Sequence, residues 1–185
     1  DALALAGLHV EVDVYRQAHA GPNDEGYSKQ WALSLIKALE AWKVSTGDPQ
    51  LTVAVIDTGY VDHPDLLPRI APGYDFISDP ENAGDGDGRD ADAHDAGDES
   101  ESSSSFHGPH VSGIIGAASN NELGMAGVDW NCRLQPVRVL GVKRHRGRDS
   151  DIADGIRWAA GLNVPEILAC DLKMEQGAQA TIKDG

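Results

Sequence analysis

Residues 51–59 read Leu-Thr-Val-Ala-Val-Ile-Asp-Thr-Gly. Apolar, β-branched residues run on without polar alternation and stop at an Asp-Thr-Gly turn. A strand that is apolar on both sides must be covered on both sides, as in a parallel sheet packed between helices. Parallel strands are joined by crossovers, so helices must alternate with strands. The surrounding sequence agrees. Residues 31–44 place apolar groups at helical spacing and end at Ser-Thr-Gly-Asp-Pro. Small residues over 108–118 predict a second helix. Residues 133–142 predict another strand, with Pro136 pointing to a bulge or an edge position. Residues 150–162 predict a helix capped by Ser150, with Ile152, Ile156 and Ala160 on one face. The fold class is α/β, an open parallel sheet flanked by helices. Residues 8–16 alternate in period two and predict a further strand, followed by a turn-rich linker.

At 185 residues the chain is long enough for one domain with a sizeable core. Its net charge of −15 argues against nucleic acid and against an anionic membrane surface as partners. No apolar run approaches the ~20 residues that cross a bilayer. The first residues lack the basic stretch that opens a secretory signal. The acidity is local: residues 79–105 hold ten Asp and Glu against one Arg. Cys132 and Cys170 fit no zinc spacing, and the sequence leaves open whether they form a bridge or remain thiols.

Two residues stand out for chemistry. Asp57 ends the buried strand, and in open α/β sheets functional groups gather beyond the carboxyl ends of strands. His107 stands where the acidic segment meets the next helix, and a helix N-terminus favours neutral imidazole, the form a general base needs. A carboxylate facing it would fix its tautomer and stabilise the cation formed later. The windows around both residues, "VAVIDTGYVDHPDL" and "HGPHVSGIIG", resemble the aspartate and histidine motifs of subtilisin-like serine proteases. "NNELGMAGVDWNCRLQPVRVLG" and "SDIADGIRWAAGL" resemble the segments that follow, in order, so the likeness spans residues 22–165. It implies a subtilisin-like sheet, Asp57 as orienting carboxylate, His107 as base, His110 as a structural residue, peptide or protein substrates, and secretion.

The same resemblance divides the chain. Residues 1–20 correspond to the tail of an inhibitory propeptide and its linker, and 21–165 to the N-terminal part of the catalytic domain. Residues 79–105 form an acidic loop within that domain, and 166–185 are an unassigned tail. The family's nucleophilic serine, in Gly-Thr-Ser-Met-Ala far downstream of the histidine, has no counterpart among these 185 residues, nor has its oxyanion-hole Asn. The expectation is therefore a truncated form of the fold, inactive unless another chain completes it. Half a parallel sheet would leave an unpaired apolar edge, a route to self-association.

Residues 85–98, "DGDGRDADAHDAGD", space carboxylates between glycines. Hard cations take several oxygen ligands, and glycine lets a backbone wrap them. The EF-hand pattern fails, because Asp90 and Ala96 occupy the positions that need Gly and Glu. The family resemblance favours structural calcium in the loop before the histidine. Candidate ligands are Asp85, Asp87, the Arg89 carbonyl, Asp90, Asp92 and Asp98. Ser34 and Lys37 form a Ser-x-x-Lys pair that would share one helical face and could support a different hydrolase. His94, His107 and His110 offer zinc no fixed third ligand. Three functions thus compete: a subtilisin-like endopeptidase, a non-catalytic calcium-binding module, and a Ser-Lys hydrolase.

Overall fold

A computed structural model describes residues 21–98, 104–162 and 164. The strand expected over 8–16, the propeptide-like segment 1–20, Cys170 and the tail from 166 lie outside the described residues. After a 3-10 turn at Tyr27–Lys29 the elements run α1 (Trp31–Leu35), α2 (Ala38–Trp42), β1 (Thr52–Asp57), β2 (Tyr74–Asp75), α3 (Pro80–Ala83), α4 (His107–Gly116), β3 (Arg133–Arg138) and α5 (Asp149–Ala159). The sheet is parallel, in the order β1-β3-β2, with Thr52 to Asp57 registered on Arg133 to Arg138.

Side chains alternate across this sheet and are covered on both sides. Val53, Val55 and Leu134 face Val111 and Ile115 of α4, together with the buried Cys132. Ala54, Ile56, Val137 and Val139 face Ile152, Trp158 and Ala159 of α5. The continuous apolar run of β1 is thus explained, since neither face is wet. A third cluster joins Leu33, Ala38 and Trp42 to Ala126 and Trp130, and the Trp42 indole N–H donates to Val128 O at 2.8 Å.

Three local expectations are corrected. The helix over 31–44 is two short helices, because Lys37 adopts a left-handed conformation at φ 57°. The break turns the second segment so that Leu33, Ala38 and Trp42 reach one core while Trp31, Leu35 and Ile36 stay exposed. Pro136 is neither at an edge nor in a bulge. It pairs in register with Val55 in the central strand. The Leu134 N–H donates to Arg69 O on the β2 side, and two residues on, Pro136 turns its donor-free nitrogen the same way. There it falls between the bridge at Leu134 and the β2 pairing that begins at Val137, so no ladder bond is lost. Finally, α5 starts at Asp149 behind Arg148, with no side-chain cap from Ser150, and Ile156 is exposed.

Candidate active site

Asp57 is the last residue of β1 and His107 the first of α4, so the strand-helix geometry delivers both to one end of the sheet. The His107 Nδ1 lies 2.9 Å from each carboxylate oxygen of Asp57. The acceptor there is a carboxylate, so Nδ1 donates, and in the neutral ring Nε2 then carries the lone pair. Asp57 is almost buried, whereas the His107 ring is 61% exposed. One nitrogen is therefore anchored to a shielded anion and the other is open to a reactant. This is the geometry of a general base with its orienting carboxylate.

Thr58 joins the two elements. Its N–H donates to Asp57 Oδ1 at 2.8 Å, and its hydroxyl accepts the Gly108 N–H at 2.9 Å while donating to Asp95 at 2.5 Å. One side chain thus ties the strand end, the helix start and the acidic loop together. The approach of α4 is close enough to require glycine: a Cβ on Gly108 would stand 2.6 Å from the Gly59 carbonyl oxygen, and Gly59 itself has φ +113°. His110 hydrogen-bonds Ser105 O through Nδ1 at 2.9 Å, a scaffold contact.

The candidate calcium ligands separate into groups. Asp85 meets the buried guanidinium of Arg138, which also holds Asp75 at 2.5 Å and the Ala83 carbonyl. Burial pushes the Asp75 carboxyl up to about 7, although Arg138 opposes the shift. The Arg89 side chain reaches Asp151, Asp154 and the Phe76 carbonyl, pinning the loop to α5. Asp98 contacts His145 and the turn at 104–105. Asp92 binds the His94 Nδ1 at 2.6 Å, which holds its carboxyl below the usual range despite partial burial. Partial burial lowers the His94 imidazole, but Asp92 and Asp62 outweigh it and leave it raised. Asp90 is pushed up by burial first and then by repulsion from Asp87, Asp92 and Asp85, against the Asp92 N–H it accepts. This crowding of like charge suits a hard divalent cation. Among the described residues, however, no three His, Cys, Asp or Glu side chains converge as a metal site.

Ser34 and Lys37 do not share a helix, since α1 ends at Leu35 and Lys37 sits in the left-handed break. Sequence reasoning missed Thr58, Asp95, Arg138 and His145. Only Arg138 carried a signal, as a lone charge in the apolar stretch Pro-Val-Arg-Val-Leu, where a buried cation demands a partner. It also missed buried Asp24 and Asp65, which organise residues 120–125 by accepting the Asn120 and Met125 N–H groups. Among the described residues, no helix is long and apolar enough to cross a membrane.

The chain is similar to known proteins. The subtilase family matches residues 48–179, extending beyond residue 165 at the C-terminal side. An extracellular protease of Xanthomonas campestris pv. campestris is 45% identical over 174 residues, which cover 86% of this chain and 30% of that protein. An extracellular basic protease of Dichelobacter nodosus is 41% identical, with 82% of this chain and 28% of the relative covered. Among solved structures, a protease from Pseudoalteromonas arctica PAMC 21717 aligns with a TM-score of 0.70 at 46% identity, over 79% of this chain and 46% of that one. The chain thus spans about 30% of the length of the first curated relatives it matches.

Proposed function

Because this chain belongs to the subtilase family, we propose that Asp57 and His107 are the carboxylate and base of a serine endopeptidase that cleaves peptide bonds by acyl transfer. The observation that carries the proposal is the asymmetry of His107, whose Nδ1 is held at 2.9 Å by Asp57 while its ring stays open to solvent. Nε2 takes the hydroxyl proton of a serine as that oxygen attacks the substrate carbonyl. Asp57 stabilises the resulting imidazolium, which then returns the proton to the leaving amine. The substrate class is a peptide or protein.

The serine and the oxyanion donors are not supplied by any Gly-Thr-Ser-Met-Ala motif in these 185 residues. The chain by itself therefore carries the proton-transfer half of the chemistry, and we expect no turnover from it in isolation. Secretion accompanies this reading, because the Xanthomonas and Dichelobacter relatives are named extracellular proteases. The loop before α4 would hold structural calcium through Asp87, Asp90, Asp92 and the Arg89 carbonyl, with Asp85 shared with Arg138. The crowding of charge around Asp90 supports this set, with Asp98, which also holds His145 and the Ser105 N–H, as a further ligand. The ion would lower the repulsion within the loop and take no part in proton transfer.

The test is complementation. This chain, joined to a serine-bearing family C-terminal part, should hydrolyse peptide substrates, and His107→Ala should cut kcat by about 10⁴-fold or more. Absence of activity after complementation, or activity that survives His107→Ala, would refute the reading.

A further inference from the structure

The lead-in to α4 is held from outside the helix, by a histidine in the loop after β3. The residue preceding His107, Phe106, is left-handed at φ 46° and ψ 51°, and no side chain caps the helix. A non-glycine residue in that conformation is strained, so surrounding contacts must fix it. They come from a small closed network. The Asp98 N–H donates to Ser104 Oγ and the Ser105 N–H donates to Asp98 Oδ2, both at 2.8 Å. His145 closes the ring: its Nε2 lies 2.5 Å from Asp98 Oδ1 and 3.0 Å from Ser105 Oγ. Ser105 O in turn accepts from His110 on the first turn of α4. The turn that delivers His145 is itself strained, with Arg144 and His145 both left-handed at φ 58° and 51°. Neither is glycine or asparagine, the residues such a turn prefers.

We propose that His145 is a positioning residue for the base: by clamping Asp98 and Ser105 it sets the first turn of α4, and so the angle at which His107 meets Asp57. Beyond its bond to Asp57, the exposed His107 ring is directed by the backbone of that first turn, so a change in its lead-in passes directly to the imidazole.

This inference rests on the proposed function for its meaning, but its first test does not. In the present chain the His107 Nδ1 proton, bonded to Asp57, gives an imidazole resonance whose solvent exchange can be followed by NMR. His145→Ala should speed that exchange at least tenfold, with the melting temperature little changed. His145→Gln, which keeps an N–H donor at similar reach, should restore it. An unchanged His107 signal in His145→Ala overturns the proposal. Should that variant fail to fold, Ser105→Ala removes the hydroxyl contact at an exposed position and is read in the same way, with an unchanged signal again overturning it. In the completed enzyme, His145→Ala should lower kcat by about tenfold with KM within twofold, and a fall confined to KM would refute the positioning role. If His107→Ala leaves that enzyme active, the functional reading fails, while the NMR result still decides the clamp.

Discussion

Asp57 and His107 were legible as single residues because each carries its context beside it in the chain: a buried strand ending in Asp-Thr-Gly, and a histidine opening a small-residue helix. Their partners were not. Thr58, Asp95, Asp98 and His145 act through contacts between segments far apart in sequence, and nothing local in "GVKRHRGRDS" says that His145 will reach Asp98. Asp75 shows the energetic side of such contacts. Its carboxyl, fully buried against Arg138, is raised to about 7 from the ordinary 3.8. The folded state therefore holds that proton more tightly than the unfolded one. The resulting stability is complete below about pH 4 and is lost as pH rises through about 7. Melting curves should show the native chain falling by several degrees between pH 5 and 8 relative to Asp75→Asn, which cannot ionise. Parallel curves for the two proteins would contradict the shift.

At the scale of elements, hydrophobic patterning found β1, α4, β3 and α5 but placed their details imperfectly. The stretch 31–44 has helical periodicity throughout, and only the demands of one tertiary core, met by Leu33, Ala38 and Trp42, force the break at Lys37. Two-residue β2 is too short to leave a pattern. Pro136 is tolerated in the central strand because the neighbouring strand begins one position too late to need its N–H, a fact its own sequence context does not carry. The helix break gives a sharp test. Glycine at a left-handed site relieves strain, whereas glycine inside a helix costs about 1 kcal/mol. Lys37→Gly should therefore raise the stability by about 0.5–1 kcal/mol in denaturant titrations. A loss of similar size would mean that residues 31–44 form one continuous helix.

For the whole molecule, the acidity is managed segment by segment. Arg138, Arg89 and His145 each take hold of the acidic loop or its partners, and the carboxylates around Asp90 remain crowded. With calcium bound there, excess chelator should lower the melting temperature by about 5 °C or more, as expected for a ligand held well above its Kd. Asp90→Asn should blunt the effect, and a melting temperature indifferent to chelator would exclude the site. Among the described residues, β1 pairs on one side only, with β3. Sedimentation over a range of concentrations should accordingly reveal association of the isolated chain, and a strictly monomeric profile would show that its outer edge is protected.

Cys132 lies beneath α4, with no exposed surface, against Leu134 and the sheet. Burial, with help from Asp129, pushes its thiol above the ordinary range, which withholds the thiolate that alkylating reagents need. In a Cys170→Ser background the sulfur then serves as a clock: it reacts only when the helix carrying His107 lifts from the sheet. The labelling rate would measure how often the frame that joins Asp57 to His107 comes apart.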